Sequence, residues 1–235
     1  MEALIKQVTK LLTHDDKYTK LTSTFEVRNG VLSIKNSNHK LASPKSRYLY
    51  EVEIGGLSLY HDLKQLEDCP YLQVVILSNA SGIAWPFEVA GDELIQFANI
   101  TMLVIDGLYS LYNLYNLEHV FPNIESLVIR VTAANWKQVV PYTLNLAFVT
   151  CVNLVIFSYK PIKGSNFMLQ CISNKLIDKP HINNLIMITI AYKTAMSLKG
   201  IKFHNPINLF TRGYDVTGLS KCIGVKNTDV SDLDI

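Results

Sequence analysis

The chain has 235 residues, of which 49% are hydrophobic and 18% are charged, and its formal net charge is +2. This apolar content excludes an intrinsically disordered chain and is sufficient for the core of one or two domains. No run of about eighteen apolar residues occurs, and the first residues lack the apolar segment of a signal peptide. We therefore expect an intracellular protein, cytoplasmic or nuclear, that makes no contact with a membrane.

Residues 1–47 are predicted to form an amino-terminal cap. Apolar residues recur at helical spacing over residues 2–12, which predicts a short amphipathic helix. Two apolar segments, 24–28 and 31–34, flank Asn29-Gly30, a pair typical of a two-residue β-hairpin loop. The polar remainder of this region predicts a linker. We expect the helix and the hairpin to cover an exposed apolar end of the following domain.

A recurring pattern organises the rest of the chain. An aliphatic residue follows a small or Pro-bearing turn, and further apolar residues stand three and five places later. The copies are Leu72/Val75/Leu77, Ile100/Leu103/Ile105, Ile124/Leu127/Ile129, Leu154/Phe157/Tyr159 and Ile182/Leu185/Met187. Their starts lie 24 to 30 residues apart, which indicates stacked supersecondary units sharing one core, with a strand at each copy.

These copies resemble the Leu-x-x-Leu-x-Leu units of leucine-rich repeat proteins, over roughly residues 48–212. Weaker copies occur at Leu49/Val52/Ile54 and at residues 207–210. The resemblance implies an α/β solenoid over residues 48–226, with a parallel inner sheet and outer helices. The repeats are irregular, because the positions of the family's Asn or Cys ladder hold other residues, namely Ala80, Leu108, Thr132 and Ile162. We therefore expect no such ladder, and a Rossmann-like sheet remains the alternative fold.

Helices are predicted on the outer side, between the strands. Segments with helical spacing lie before Cys69, before Pro122 and over residues 165–177. Trp136 falls between two strands and is interpreted as a packing residue. The four cysteines contain no Cys-x-x-Cys pair, and Cys69 and Cys151 precede equivalent positions of two copies. Both are interpreted as small packing residues rather than reactive thiols.

The inner sheet is the predicted partner-binding surface, because residues between the aliphatic positions would point into a concave groove. A mostly aliphatic strip exposed there is typical of a protein-binding site. Its middle row comprises Ile76, Val104, Val128, Ser158 and Ile186. The adjoining row comprises Ser78, Asp106, Arg130, Lys160 and Ile188, so its charge changes sign along the groove. The alternative is an inner face that a terminal arm or longer loops cover.

Charge is strongly polarised along the chain. Residues 48–129 contain 11 acidic residues and one basic residue, whereas residues 130–226 contain 12 basic and two acidic residues. Such halves orient partners and allow salt-sensitive self-association. The basic half also motivates an alternative function, RNA or DNA binding, through Lys163, Lys175, Lys179, Lys199, Lys202 and Arg212. Residues 227–235 form an acidic tail that is expected to fray.

Motifs of common enzyme families are missing from the sequence. It contains no Gly-rich phosphate loop, no Gly-x-Ser-x-Gly, no His-Glu-x-x-His and no Cys/His metal spacing. We therefore predict no catalytic residue, no cofactor and no metal. The sequence favours a non-enzymatic protein–protein interaction module, an adaptor or scaffold subunit whose protein partners belong to a larger intracellular assembly. A nucleic-acid-associated factor is the alternative.

Overall fold

The structure is a computed structural model that describes residues 1–13, 19–20, 25–28, 31–35, 51–55, 71–78, 96–106, 117–146, 148–190 and 193–230. The chain divides into two compact units. Asp15–Glu125 form the acidic unit, which has 14 Asp and Glu residues against 8 Lys and Arg. Met1–His14 and Ser126–Ile235 together form the basic unit, which has 14 Lys and Arg residues against 6 Asp and Glu.

The acidic unit contains a hairpin followed by parallel strands. The antiparallel strands are β1 (Thr19–Lys20), β2 (Phe25–Arg28) and β3 (Val31–Lys35). Arg28 pairs with Val31 across a two-residue loop, which confirms the predicted hairpin. Three strands then add in parallel, each beside the one before it: β4 (Glu51–Gly55), β5 (Val74–Ser78) and β6 (Met102–Asp106). A single helical turn, α2 (Leu117–Val120), precedes Pro122.

The register of these strands follows the predicted repeat. Val75 pairs with both Val52 and Leu103, so the first three copies align as the spacing predicted. The helix predicted before Cys69 and the linker after residue 35 lie outside the described residues. The helix predicted before Pro122 is described only in its last part, which is α2.

The basic unit has a sheet of parallel strands covered by helices. In spatial order the strands are β7 (Ser126–Arg130), β8 (Asn153–Ser158), β9 (Asn184–Thr189), β11 (Lys202–Arg212) and β13 (Ile223–Val230). A separate parallel pair consists of β10 (Thr194–Ser197) and β12 (Tyr214–Thr217). The helices are α1 (Glu2–Thr13), α3 (Trp136–Thr143) and α4 (Ser165–Lys175). The helices α1 and α4 confirm the predictions for residues 2–12 and 165–177.

The sheet strands of the basic unit lie in the same order as in the chain, with β10 and β12 set apart as a separate pair. A Rossmann sheet instead reverses its strand order at a central switch point. The described strands of the unit have no such reversal, which removes the alternative fold for this part of the chain. The described chain is therefore an α/β protein with parallel sheets.

The two faces of the basic unit's sheet are covered by different elements. Because side chains alternate along a strand, Leu127, Leu154 and Leu185 share one face, here called the outer face. An outer layer of α3, α4, β10 and β12 lies there, in contact with β7, β9 and β11. The opposite, inner face carries Val128, Val155, Ile186 and Phe210, and α1 packs on its strand β9.

Two predicted regions are divided differently in the structure. The predicted cap combined a helix and a hairpin, but α1 belongs to the basic unit and the hairpin to the acidic unit. The first residues of the predicted acidic tail, 227–230, continue β13 and pair with β11 instead of fraying. The remaining tail residues lie outside the described part of the chain.

Candidate functional site

The predicted middle row is buried. Ile76 and Val104 in the acidic unit, and Val128, Ser158 and Ile186 in the basic unit, are each at most 5% exposed. The expectation of an exposed apolar strip at these five residues is therefore wrong. A charged substitution at any of them would disrupt the core before it tested binding.

The fourth copy of the repeat begins three residues earlier than predicted. Leu154 pairs with Leu127 and with Leu185, so Val155 and Phe157 occupy the positions predicted for Ser158 and Lys160. Ser158 instead belongs to the outer face, and Lys160 lies beyond the end of β8, exposed. The predicted alignment failed because Leu154, Phe157 and Tyr159 happen to have the repeat's spacing.

The helix α1 covers part of the inner face of the basic unit. Its buried residues Ile5, Val8 and Leu12 form one stripe at helical spacing. Thr9, also buried, accepts a hydrogen bond from Nη1 of Arg212 at 2.9 Å and donates one to the Ile5 carbonyl at 2.7 Å. The sequence left two possibilities for the inner face, an open groove or a face covered by a terminal arm or loops. In the basic unit, a terminal arm covers it.

Aromatic and cationic groups surround the carboxyl end of α1. The Tyr159 hydroxyl donates a hydrogen bond to the Leu12 carbonyl. The Arg130 guanidinium lies 4.3 Å from the centre of the Tyr159 ring, and the Phe157 ring meets the same ring edge-on at 5.3 Å. Burial lowers the pKa of Arg212 from its ordinary value. Positive charge at this end is favourable, because the last carbonyls of a helix carry partial negative charge.

A ladder of side-chain hydrogen bonds crosses the inner face at the starts of the strands. Asn208 donates to Asn184 at 3.0 Å, Asn184 to Asn153 at 2.8 Å, and Asn153 to the Ser126 hydroxyl at 3.1 Å. This ladder lies at the strand starts and is distinct from the leucine-rich repeat ladder, whose positions after the strands hold other residues, among them Thr132 and Ile162. The signal was an Asn two places after a copy's start, as in Ile182 and Asn184, but the misaligned fourth copy concealed the equivalent position of Asn153.

Three of the six basic side chains proposed for nucleic acid are engaged within the basic unit. Nζ of Lys175 donates to Asn145 at 2.8 Å, and Nζ of Lys179 donates to the Leu146 carbonyl at 2.6 Å, so both fasten the segment after α3. Arg212 contacts α1, as described above. Lys163, Lys199 and Lys202 are exposed. Lys163 and Lys175 lie at opposite ends of α4, so the six residues do not form a single cluster.

Several hydroxyls lie buried on the outer face, near the carboxyl ends of the strands. Ser158 pairs in register with Thr189, and neither hydroxyl has a hydrogen-bond partner among the residues that the structure describes. Burial raises the pKa of Tyr214, and the nearby Ser158 hydroxyl opposes that rise, although the two groups fall short of hydrogen-bond geometry. Ser158 is thus part of the packed outer side rather than of an accessible binding surface.

Cys151 is a packing residue, as predicted. Its side chain is buried, and burial raises the pKa of the thiol from 9.0 to about 11. A thiol with so high a pKa is unreactive at neutral pH, because the thiolate is the nucleophile.

Within the described ranges, no group of three or more His, Cys, Asp and Glu side chains could hold a metal ion. No helix in the described part of the chain is long and apolar enough to cross a membrane.

Comparisons with known proteins found no relative. No family model matches the chain, and neither a curated protein nor a solved structure matches it significantly. The resemblance to leucine-rich repeats therefore stays a prediction.

Proposed function

We propose that this chain is a non-enzymatic protein–protein interaction module, an adaptor or scaffold subunit of an intracellular assembly. In this proposal the chain folds as an irregular solenoid of the leucine-rich repeat kind. Sequential parallel strands and the matching register of successive copies, Val75 with Leu103 and Leu154 with Leu185, support that architecture. Scaffolds of this type act by presenting a broad sheet face to a partner.

The observation that carries the proposal is the docking of α1 on the inner face of the basic unit. The face accepts an amphipathic helix through an apolar row and fixes its end through Tyr159 and Arg212. Laying the apolar side of a helix into a groove is a common mode of partner recognition. The predicted contacts Arg130 and Lys160 belong to the same region, at the carboxyl ends of the strands.

Affinity capture with quantitative mass spectrometry tests this function. The variant is Arg130→Glu with Lys160→Glu, which reverses one half-buried and one exposed charge and spares the buried row. The matched control is Phe167→Ser on α4, a residue that is 75% exposed and belongs to the outer layer. We expect a protein partner to be retained by the wild-type chain and by Phe167→Ser, and lost at least tenfold by the charge-reversed variant.

Circular dichroism and thermal unfolding establish that both variants are folded before capture. Loss of the partner with Phe167→Ser, but not with the double variant, would assign binding to the outer layer. If folded wild-type protein retains no protein partner after cross-linking, the adaptor function is overturned.

Nucleic-acid binding is the second candidate, favoured by the charge of the basic unit and the exposure of Lys160, Lys163 and Lys199. Such binding would weaken steeply with salt, because each phosphate contact releases a counterion. Mobility shifts of single-stranded RNA over 50 to 200 mM salt, about the range in which such losses are measured, test it. Binding that is absent at low salt, or insensitive to Lys160→Glu with Lys163→Glu, contradicts this candidate.

A further inference from the structure

Buried hydroxyls lie together on the outer face of the basic unit's sheet, near the carboxyl ends of three neighbouring strands. Ser158 of β8 pairs in register with Thr189 of β9. Thr211 of β11 pairs with Met187, which stands two residues before Thr189. Because side chains alternate along a strand, the three hydroxyl side chains share the outer face. Each is at most 2% exposed.

Tyr214 adds a fourth hydroxyl from the outer layer. The chain leaves β11 at Gly213, which lies against Thr189, and Tyr214 follows as the first residue of β12. The strand β12 contacts β9, and the Tyr214 side chain is buried. Burial raises the pKa of Tyr214 and the Ser158 hydroxyl opposes that rise, so these two hydroxyls lie near one another. The hydroxyl cluster is defined here as Ser158, Thr189, Thr211 and Tyr214.

Every hydroxyl of the cluster is without a hydrogen-bond partner among the residues that the structure describes. A hydroxyl can donate one hydrogen bond and accept two, and burying it unpaired costs free energy. An aliphatic side chain avoids this cost. The neighbouring strand has one at the adjoining position, since Val131 is buried beside the end of β8, where its N–H donates to the Phe157 carbonyl at 2.8 Å. The hydroxyls are therefore not required for packing alone.

The spacing and chemistry of the hydroxyl cluster fit water. Neighbouring strands lie about 4.8 Å apart, whereas an O–H···O hydrogen bond is about 2.8 Å long. A single water that makes two such bonds spans about 5.5 Å. Buried waters typically make about three hydrogen bonds with polar groups that otherwise lack partners. The cluster consists of uncharged hydroxyls, which match a water molecule better than an ion.

We propose that the hydroxyl cluster forms an internal water-binding site, in which at least one ordered water joins the sheet to β12. Tyr214 holds the water from the outer layer, and the three strand hydroxyls hold it from the sheet. The site lies on the face opposite to α1. It is therefore independent of the proposed interaction function, and its failure would leave that function unchanged.

The first test counts internal water in solution by ¹⁷O magnetic relaxation dispersion, which detects water molecules that stay bound for longer than the protein takes to tumble. The variant is the full chain with Thr189→Val, Thr211→Val and Tyr214→Phe, which removes three hydroxyls and nearly preserves side-chain shape. We expect at least one long-lived water fewer than in the wild-type chain. The matched control is Thr143→Val on α3, where a buried hydroxyl outside the cluster also lacks a described partner, and the count should not fall. Equal counts for the wild-type chain and the triple variant would overturn the site.

Thermal unfolding gives a second readout, in which the direction of the shift decides. If water satisfies the hydroxyl cluster, Thr189→Val deprives the water of a partner and should lower the melting temperature by about 3 °C. If the hydroxyls are unpaired, the same change removes a buried polar group at no loss and should raise the melting temperature. Thr143→Val, as control, should not lower it. A higher melting temperature for both Thr189→Val and Tyr214→Phe contradicts the proposal.

A crystal structure of the wild-type chain locates the water and decides the matter if circular dichroism shows that the triple variant is unfolded. We expect water density within about 3.2 Å of at least three hydroxyl oxygens of the cluster. Hydroxyls that bond directly to one another without water would overturn the site. Density for a larger solute in the cluster would overturn its assignment to water.

Discussion

The outer and inner faces of the basic unit's sheet are covered from different parts of the chain. The outer layer consists of α3, α4, β10 and β12, which connect successive strands and therefore lie close to them in sequence. On the inner face, Arg212 meets Thr9, a residue 203 positions away. Local sequence patterns determine the first cover, whereas the second depends on a contact that no local pattern specifies.

The sharpest way to separate the two faces is a double-mutant cycle. Ile186→Ala on the inner face and Leu185→Ala on the outer face should each lower the free energy of unfolding by about 3 kcal/mol, as for other buried aliphatic residues. With Val8→Asp present, the cost of Ile186→Ala should fall by about 1 kcal/mol, since α1 no longer packs on β9. Urea unfolding measures all four free energies.

The control in this cycle is Leu185→Ala, whose cost should not change with Val8→Asp. Equal coupling of Val8 to both residues would mean that α1 stabilises the whole sheet rather than its inner face.

A second prediction concerns Gly213, where the chain leaves β11 for the outer layer. Its φ is +74°, and an added Cβ would lie 2.2 Å from the Thr189 carbonyl oxygen. Gly213→Ala should therefore cost about 3 kcal/mol, from backbone strain and a clash that backbone atoms cannot relieve. Gly200→Ala is the control: φ is +81° but no atom lies within 4 Å, so it should cost about 1 kcal/mol. Similar melting temperatures for the two variants would contradict the close approach.

Alkaline pH probes the buried thiol of Cys151. Its pKa is about 11 in the folded chain, against 9.0 for an ordinary thiol, so the unfolded chain loses this proton first. The contribution of the protonated thiol to stability is therefore fully present below pH 9. The free energy of unfolding should fall by about 2 kcal/mol as the pH rises toward 11. Cys151→Ala should flatten this part of the profile, and Cys222→Ala should flatten it less, because partial burial raises the pKa of the Cys222 thiol by a smaller amount. An unchanged slope in Cys151→Ala would assign the loss to other groups.

The smallest expected effect concerns the asparagine ladder. Asn184 accepts from Asn208 and donates to Asn153, so Asn184→Ala leaves two half-buried amides without this partner. We expect a loss of about 1 kcal/mol in thermal unfolding. The exposed neighbour Asn183 provides the control, because Asn183→Ala keeps its backbone hydrogen bonds and should change stability little.

Sequence patterns located most of the described strands. They failed where the structure depends on contacts between residues far apart in the chain. The three-and-five spacing placed β5, β6, β7 and β9 because each strand carries its own apolar alternation. It misplaced β8 because Phe157 and Tyr159 have equally suitable spacing, and three-dimensional pairing with Leu127 decides the register. Burial of Ile186 was missed because sheet alternation predicts which side a residue faces, not what lies above it.

The candidate site was predicted in part. Arg130 was assigned to the correct strand end, yet its association with Tyr159 depends on the chain beyond β8, which the repeat pattern does not describe. Arg212 was predicted only as a phosphate contact, because a basic half gives no indication which of its cations are engaged internally. The resemblance to leucine-rich repeats specified a sheet face as the surface to consider but gave no hint that α1 covers it.

The 203-residue separation of Thr9 and Arg212 also bears on how the protein is made. The helix α1 leaves the ribosome well before β11, and at roughly 5–20 residues per second its apolar stripe waits at least about ten seconds for its binding face. Throughout that interval Val8 and its neighbours are available to chaperones or to the nascent chains beside them.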